Sequence, residues 1–463
     1  MLVTRELSAG HAQDVDYALL TELDPQRYPV YLHSAGDPGP HARWDILFIS
    51  DGNALELTAD ADLLQNQQSV SGDFLDVFDS WYAQERASTP ARSTAHDAFP
   101  FIGGWCLYLA YEFAAMIEPS VPHARPDDGL PLALALRCPA AVVIDRALRR
   151  AWLISETGSE QIRQRLSGDL ERLRQAATSA DPLPLVASEV TEDAPQRYLE
   201  AVDRIREYIL AGDVFQVNLS REWRAEFDEP VSAQRMASQL NRSNPSPFAG
   251  MLHWQGVSLL SSSPERLVSV AGAVVQTRPI AGTRPRIDRD LDQKRREELI
   301  SHPKERAEHI MLLDLERNDL GRICRPGTVQ VDEFMGLESY AHVHHIVSNV
   351  SGRLKPGTTP GQVLRAVFPG GTITGCPKVR CMQIIHELEG APRGAYTGAL
   401  GYIDHRGRMD MNILIRSLVL NGSTARLRTG AGIVADSDPR HELQETRAKA
   451  RGLLAALQGG AHG

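Results

Sequence analysis

The chain has 463 residues, of which 42% are hydrophobic and 23% are charged, and its formal net charge at pH 7 is −10. This is the composition of an ordinary globular protein, and it excludes a largely disordered chain. The excess of acidic residues argues against a general binder of nucleic acids or of anionic membranes.

Residues 1–16 are polar and acidic and lack a basic segment followed by an apolar one, so we expect no signal peptide. No uninterrupted apolar run reaches the roughly 18 residues that a membrane span needs. The five cysteines include no C-x-x-C pair, which argues against a disulfide framework or a thiolate metal site. We therefore expect a cytoplasmic protein that binds neither nucleic acid nor a membrane.

The first half of the chain alternates short apolar segments with turns, which predicts β-strands. The predicted strands are YPVYLHS, RWDILFIS, GGWCLYLAYEF, AAVVID and RAWLIS, and helices are predicted near residues 73–86 and 160–177. The Pro- and acid-containing stretch before residue 195 predicts a connection between two units. We expect an amino-terminal region, 1–185, and a second region, 190–458, intertwined in one compact unit.

The second half mixes longer helices with strands. Helices are predicted at 196–211, 291–317, 376–389 and 439–457, and VFQVNLSREW is one of the predicted strands. Gly212 is expected just beyond the end of the first of these helices. A hairpin is predicted around residues 405–407. Together these elements predict the α+β class, with a many-stranded antiparallel sheet and interspersed helices.

Two of the predicted helices carry glutamates on one face. Glu305 and Glu308 are three residues apart on the first, while Glu442, Glu445 and Lys449 share a narrow face of the other. Two such groups can hold Mg²⁺, which prefers oxygen ligands and keeps several of its waters. The alternative is a solvated surface with ion pairs between residues four apart, such as Glu445–Lys449.

Two glycine-containing segments precede predicted helices. In TGAGIVADSDP, Gly430 and Gly432 let a ligand approach the backbone, whose N–H groups suit a carboxylate or a phosphate. The alternative is a tight turn, with Asp438 as the helix cap and Pro439 in the first turn. The segment FPGGTITGCPKVR, around Thr372, lacks the G-x-x-x-x-G-K-[ST] pattern, which argues against a nucleotide site.

Single residues in the second half also suggest chemistry. Glu265 in SSSPER is either a buried acid or an ordinary carboxylate at a strand turn. His344 and His345 are adjacent, so on a strand they face opposite sides, and one can face a site while the other is structural. Arg416 lies within an apolar strand, where a buried guanidinium needs an anionic partner from the protein or from a ligand.

Most of residues 196–455 is covered by segments in a characteristic order: SPERL, TRPIAGTRPR, KERAEHIMLLDLERNDLGR, VHHIVS, FPGGTITGCPKVRCMQIIHELE, MDMNILIRSL and GAGIVADSDPRHELQETRAKA. This order resembles that of the chorismate-utilising enzymes, which include the anthranilate synthase large subunit, aminodeoxychorismate synthase component I, isochorismate synthase and salicylate synthase. The resemblance implies an anthranilate synthase component I-like α+β fold, with large antiparallel sheets packed in a sandwich-like core and helices outside. It makes residues 190–458 the chorismate-binding catalytic region.

Within this family, the resemblance favours the members that use ammonia. Gln216 stands where water-adding members have a general-base lysine, and Thr372 is similar to the ammonia users. The segment around His33 is more similar to aminodeoxychorismate synthases than to feedback-inhibited anthranilate synthases. The implied reaction is amination of chorismate to 4-amino-4-deoxychorismate, towards 4-aminobenzoate and folate, with ammonia from a separate glutamine amidotransferase subunit. Ala281 stands where many aminodeoxychorismate synthases have a nucleophilic lysine, and it favours the alternative product, anthranilate.

The resemblance also implies roles for individual residues. It implies a Mg²⁺ ion bound by Glu308 and Glu445, with Glu305 and Glu442 contacting the waters of the metal. The implied catalytic residues are Glu265 as general acid, His345 and Thr372. The implied substrate-binding residues are Tyr402, Arg416, Thr429, Gly430, Gly432 and Lys449.

In the amino-terminal half, Ser34, Arg43 and Trp44 resemble the wall of a tryptophan pocket. Arg43 is expected to face the carboxylate of such a ligand, while His33 replaces the glutamate of feedback-inhibited relatives. We expect a vestigial pocket in which bound tryptophan has little effect on rate. The alternative is that Trp44 and Ile46 fill the core of the sheet themselves.

Overall fold

The computed structural model describes residues 3–7, 15–35, 42–88, 98–156, 159–176, 183–285, 303–339 and 343–459. The strands of the first half of the chain are β1 (Val3–Glu6), β2 (Val30–His33), β3 (Trp44–Ile49), β4 (Ala54–Leu57), β5 (Leu63–Gln65), β6 (Gln68–Ser69), β7 (Gly104–Leu109), β8 (Ala133–Cys138), β9 (Ala140–Asp145), β10 (Arg150–Ser155) and β11 (Glu189–Glu192). Those of the second half are β12 (Gln216–Glu226), β13 (Phe248–Trp254), β14 (Val257–Ser263), β15 (Arg266–Ala271), β16 (Val274–Arg278), β17 (Ile280–Pro285), β18 (Gln330–Ser339), β19 (Val343–Arg353), β20 (Gly375–Cys376), β21 (Ala399–Asp404), β22 (Met409–Ile413), β23 (Ser417–Asn421) and β24 (Thr424–Ile433).

The helices lie between and around these strands. They are α1 (Ala18–Leu23), α2 (Phe74–Ser88), α3 (Ala114–Ile117), α4 (Ser159–Ala176), α5 (Pro195–Leu210), α6 (Ala233–Ser243), α7 (Pro303–Ile323), α8 (Pro360–Val367), α9 (Lys378–Glu389) and α10 (Pro439–Leu457), with 3₁₀ turns at Tyr111–Phe113 and Gly371–Ile373. Across the described ranges, no helix combines the length and the apolar character that a membrane crossing requires.

The strands of the described residues form two antiparallel sheets of twelve strands each. The order in the first sheet is β1-β10-β9-β3-β2-β13-β14-β23-β24-β12-β11, with β20 paired to β12. The order in the second is β17-β19-β16-β15-β22-β21-β7-β8-β4-β5-β6, with β18 paired to β19. Each sheet therefore takes strands from both halves of the chain.

Besides the pairing of β11 with β12, two strand pairs join the halves. In the first sheet β2 pairs with β13, and in the second β7 pairs with β21. Buried apolar side chains from both sheets, such as Phe48, Leu136 and Leu259, form one cluster between them. Burying these faces against each other supplies the main driving force for the fold. The predicted α+β class, with large antiparallel sheets packed together and helices outside, is confirmed.

Local sequence signals placed several elements correctly. Strands β9 and β10 coincide with the predicted AAVVID and RAWLIS. Helix α10 has the predicted bounds, and the Asp438 side chain caps it by accepting a hydrogen bond from the His441 N–H at 2.8 Å. Gly212, just after α5, has a φ of +85°, which glycine adopts without strain.

The helix predicted at 291–317 differs from the observed one. Residues 291–302 lie outside the described residues, and α7 continues past the predicted end to Ile323. Gly321 does not end the helix, because Leu320 and Ile323 on either side of it are buried in the core. Tertiary packing therefore overrides the local signal of the glycine.

Candidate active site

Glu265 lies between β14 and β15, and its side chain is only 5% exposed. Its backbone is fixed by hydrogen bonds: its N–H donates to Ser263 Oγ at 3.2 Å, and its carbonyl accepts from the Ile413 N–H at 3.0 Å. The Thr372 hydroxyl donates to Glu265 Oε1 at 2.7 Å. Burial raises the pKa of Glu265 to about 7, although the Thr372 hydrogen bond and the charge of Lys449 act in the opposite direction. Glu265 is therefore a buried acid rather than an ordinary turn carboxylate.

Thr372 reaches Glu265 because its 3₁₀ turn packs closely against α7. A Cβ atom at Gly371 would lie 2.3 Å from a side-chain carbon of Leu315, so a larger residue would push the turn away. Gly371 thus serves close packing of the turn against α7.

Gly430 on β24 is the centre of a second group of residues. Its carbonyl accepts a hydrogen bond from Lys449 Nζ at 3.0 Å, and the same Nζ lies 2.8 Å from Glu445 Oε1. A Cβ atom at Gly430 would lie 2.8 Å from Asn218 Oδ1 and 2.9 Å from the Tyr396 hydroxyl. The glycine leaves room for these polar groups to converge. The ion pair between Glu445 and Lys449 is present, as the alternative interpretation of that helix face predicts.

Arg416 follows β22 in a backbone conformation with a φ of +53°. Within the described ranges its side chain has no hydrogen bond and no ion pair. Loss of hydration lowers the pKa of Arg416, while Tyr396 acts weakly in the opposite direction. A partly buried cation without a protein anion is suited to bind an anionic ligand.

Tyr396 is a site residue that the sequence patterns do not single out. Its hydroxyl faces Gly430, and burial raises its pKa to about 12, while the nearby Arg393 acts to lower it. The charge of Arg416 also contributes to lowering that pKa. The signal that could have found this tyrosine is its position in GAYTG, a turn between glycines immediately before β21.

Tyr402 is expected to bind substrate, but its side chain lines a cavity of the amino-terminal half. Its ring packs against Phe48 and Phe101, with ring centres 6.0 and 5.6 Å apart, and it lines the amino-terminal cavity described below. Thr429 also differs from expectation, since its hydroxyl donates to the Thr446 carbonyl at 2.8 Å and so fastens α10 to the sheet. Gly432 lies beside Asn218 in the register of β24 with β12.

Of the four glutamates predicted at the metal site, the structure describes the side chains of the two on α10. Glu442 and Glu445 on α10 offer oxygens that lie, together with a nitrogen of His441, within 4.8 Å of one another. The buried Tyr198 hydroxyl has no hydrogen-bond partner within the described ranges, and burial and then the charge of Glu442 raise its pKa. Carboxylate oxygens next to an unsatisfied hydroxyl are a donor set that fits a hydrated Mg²⁺.

For three predicted site residues the structure describes the backbone but not the side chain: Glu305, Glu308 and His345. The backbone of the two glutamates belongs to the start of α7, and that of His345 to β19. In β19, His345 pairs in register with Thr283 on one side and Glu338 on the other.

Ser34, Arg43, Trp44 and Tyr402 line a cavity of about 150 Å³ in the amino-terminal half. Arg43 Nη2 lies 2.6 Å from Asp145 Oδ2, and the guanidinium packs over the Trp44 ring at 4.5 Å. The expectation that Arg43 faces a ligand carboxylate is therefore not met, because a carboxylate of the chain already occupies it. The alternative holds in part: Ile46 is buried in the sheet core and Trp44 packs against that core, while both residues also line the cavity.

A family model of chorismate binding enzymes matches residues 31–455. The chain is 44% identical over 363 residues to an anthranilate synthase component I-like protein of Synechocystis sp., covering 78% of this chain and 74% of the relative. It is 41% identical over 400 residues to aminodeoxychorismate synthase component 1 of Bacillus subtilis, covering 84% of this chain and 83% of the relative.

Among solved structures, anthranilate synthase component I from Streptococcus pneumoniae TIGR4 matches with a TM-score of 0.79 and 32% identity. The match covers 90% of this chain and 93% of that chain. The family model spans both Glu265 and Gly430, and each of these relatives covers most of the chain. The chain therefore belongs to the family of chorismate-binding enzymes.

Proposed function

We propose that this enzyme converts chorismate and ammonia to 4-amino-4-deoxychorismate, a precursor of 4-aminobenzoate and folate. The observation that carries this proposal is the buried Glu265 carboxyl group, whose pKa burial raises to about 7 and which Thr372 holds by a hydrogen bond. A group with this pKa keeps its proton near neutral pH. It can donate that proton to the departing 4-hydroxyl of chorismate, which is otherwise a poor leaving group.

The groups around Gly430 are suited to the two carboxylates of chorismate. Arg416 has no ion-pair partner within the described ranges, so its charge is available to a ligand. Lys449 uses two of its three N–H donors on Glu445 and on the Gly430 carbonyl, which leaves one for substrate. The Tyr396 hydroxyl adds a further donor next to Gly430. These groups would hold the substrate with its 4-hydroxyl towards Glu265.

We further propose that Mg²⁺ is the cofactor, held by Glu442 and Glu445 on α10 together with Glu305 and Glu308 on α7. The converging oxygens on α10 support this assignment. When bound there, the ion would neutralise a substrate carboxylate and withdraw electron density from the ring, an effect that can lower a barrier by several kcal/mol. Lys449, at 2.8 Å from Glu445, would balance the charge of that carboxylate.

We propose that ammonia comes from a separate glutamine amidotransferase subunit in the cytoplasm. A glutaminase needs a reactive cysteine with a lowered pKa. The buried cysteines are Cys106, Cys138, Cys324 and Cys381, while Cys376 is partly exposed. Loss of hydration raises the thiol pKa of Cys106, Cys324, Cys376 and Cys381. A thiol that is buried or has a raised pKa does not resemble an activated nucleophile, so hydrolysis of glutamine is assigned to a partner.

Features of the amino-terminal half support 4-amino-4-deoxychorismate as the product. The segment around His33 differs from that of feedback-inhibited anthranilate synthases, and Arg43 is engaged by Asp145. One observation favours anthranilate as a second candidate. Ala281, which lies opposite Ile346 in the pairing of β17 with β19, cannot act as a nucleophile.

Product analysis tests the proposal. Purified protein is incubated with chorismate, Mg²⁺ and an ammonium salt, with and without aminodeoxychorismate lyase. We expect 4-aminobenzoate in the presence of the lyase and no aromatic product in its absence. Fluorescent anthranilate formed without the lyase would replace this proposal by the second candidate. As a control, Glu265→Gln, which keeps the size of the side chain but cannot supply the proton, should consume almost no chorismate.

A further inference from the structure

Arg393 lies in the loop between α9 and β21, and its side chain is 1% exposed. Its Nε and Nη2 atoms donate to the two carboxylate oxygens of Glu389, at 3.0 and 2.6 Å. Nη2 also donates to the Asn218 carbonyl at 2.7 Å, and Nη1 donates to the Ile373 carbonyl at 3.1 Å and to Thr397 Oγ1 at 3.3 Å. All five N–H donors of the guanidinium are thus used, a set that a lysine ammonium cannot reproduce.

These acceptors belong to two separate parts of the candidate active site. Ile373 directly follows Thr372, whose hydroxyl bonds Glu265. Thr397 directly follows Tyr396, and the Arg393 guanidinium also packs against the Tyr396 ring, 5.6 Å from its centre. One buried side chain therefore contacts both the segment that carries Thr372, the hydrogen-bond partner of the acid, and the segment that faces Gly430.

The loop that carries Arg393 is itself held by buried carboxylates. Glu112 accepts hydrogen bonds from the backbone N–H groups of Arg393, at 2.6 Å, and Gly394, at 3.0 Å. Asp128 accepts from the N–H of Ala395 at 3.0 Å. Three consecutive N–H groups are fixed in this way, so the backbone of Arg393 is anchored independently of its side chain.

We propose that Arg393 is a positioning residue for catalysis, whose guanidinium sets the placement of the Thr372–Glu265 pair relative to Tyr396. It has no contact with substrate and acts through these neighbours. The inference rests on the proposed role of Glu265 as the acid, and it is independent of which amine product forms. A purely structural ion pair with Glu389 would stabilise the fold without affecting Glu265.

The test begins with Arg393→Lys, which keeps the charge and can still pair with Glu389 but cannot reach all five acceptors. Misplacement of catalytic groups by about 1 Å typically costs about 100-fold in rate, and we expect a fall of that size in kcat for chorismate consumption. The matched control is Arg137→Lys. Arg137 is also a buried arginine, but its partners, which include Glu156, His405 and the Gly104 carbonyl, lie apart from this site. Its variant should lose stability and keep kcat.

A pH profile separates positioning from stability. The groups facing Glu265 are Thr372, Lys449, Glu316 and the backbone N–H of Ile280. The Thr372 hydrogen bond lowers the pKa of Glu265, so displacing Thr372 raises it. With the concentration of neutral ammonia held constant, the basic limb of kcat should move to higher pH in both Arg393→Lys and Thr372→Val. It should not move in Arg137→Lys.

A double variant completes the test. If Arg393 acts through Thr372, the variant with both changes loses little more activity than Arg393→Lys alone, because both changes break one arrangement. The proposal would be refuted if the double variant lost activity by the product of the two single-variant factors and the basic limb of the kcat profile did not move.

If Arg393→Lys does not fold, Glu389→Gln loosens the guanidinium without removing it, and an unmoved limb in that variant would equally refute it. A wrong product assignment would show only in product analysis, whereas this test follows the disappearance of chorismate.

Discussion

Glu316 on α7 lies close enough to Glu265 for the charge of Glu265 to contribute to raising its pKa. Burial is the largest cause and the charge of Asp319 the next, and together they raise the pKa of Glu316 to about 8. Lys378, 2.6 Å from Asp319, offsets this only in part. Two acidic side chains that hold their protons near neutral pH are therefore buried in one part of the molecule.

The buried Glu316 predicts how stability depends on pH. Its folded pKa of about 8 exceeds the ordinary 4.5, so the folded state binds more protons and its stability falls as pH rises between these values. In Glu316→Gln, which has no proton to lose, the free energy of unfolding should fall less steeply with pH, by on the order of 1 kcal/mol per pH unit. Denaturant unfolding at several pH values measures it. The exposed Glu207→Gln is the control, and equal slopes in wild type and Glu316→Gln would contradict the prediction.

The carboxylates on α10 predict the metal dependence of the reaction. Glu445→Gln keeps the size of the side chain and removes its charge, so activity should fall by about 100-fold or more while the fold survives. Activity titrated with Mg²⁺ and a circular dichroism spectrum check both parts. Glu207→Gln again serves as control. Near-normal, Mg²⁺-dependent turnover in Glu445→Gln would rule out this metal site.

Arg416 and Arg428 form a contrasting pair of arginines. Arg428 is buried and bonds Ser220 and Glu389, whereas Arg416 has no partner within the described ranges. Arg416→Gln should weaken chorismate binding by about 10- to 100-fold with no loss of stability, because it removes an interaction made with the ligand. Arg428→Gln should lower stability. Chorismate affinity and thermal unfolding measure the two effects, and unchanged affinity in Arg416→Gln would count against the assignment.

The amino-terminal cavity predicts a weak response to tryptophan. The charge of Arg43 is already balanced by Asp145, and His33, hydrogen-bonded to Asn241 through Nε2, offers no carboxylate to hold the ammonium group of an amino acid. Tryptophan added to the ammonia-dependent assay should therefore leave the rate nearly unchanged. Inhibition at micromolar concentration would show a working regulatory site and would favour the anthranilate synthase assignment.

Sequence alone predicted those elements whose signals are local. The bounds of α10 follow from Asp438 and Pro439 at one end and a continuous amphipathic pattern, and β9 and β10 follow from short apolar runs between turns. The end of α7 could not be predicted in this way, because burial of Leu320 and Ile323 against distant strands carries the helix past Gly321.

The resemblance names candidate site residues one by one, whereas contacts between distant segments cannot be predicted from it. Glu265 and Thr372 were both foreseen, although their hydrogen bond was not. The sequence patterns indicate Tyr402 and not Tyr396, because no local pattern shows that the turn before β21 faces Gly430 while Tyr402 on β21 lines the amino-terminal cavity. The five contacts of Arg393 join four segments of the chain, and no sequence pattern specifies such a set.

The strand order of the two sheets constrains how this protein can be divided or recombined. Because β2 pairs with β13 and β7 with β21, a cut in the connection before α5 would leave each fragment with the unpaired edges of two incomplete sheets. Neither fragment could be produced as an independent unit, and halves from two homologues could be exchanged only if both joining strand pairs matched. Additions at either end of the chain avoid these joins, so fusion is a safer route to engineering than fission.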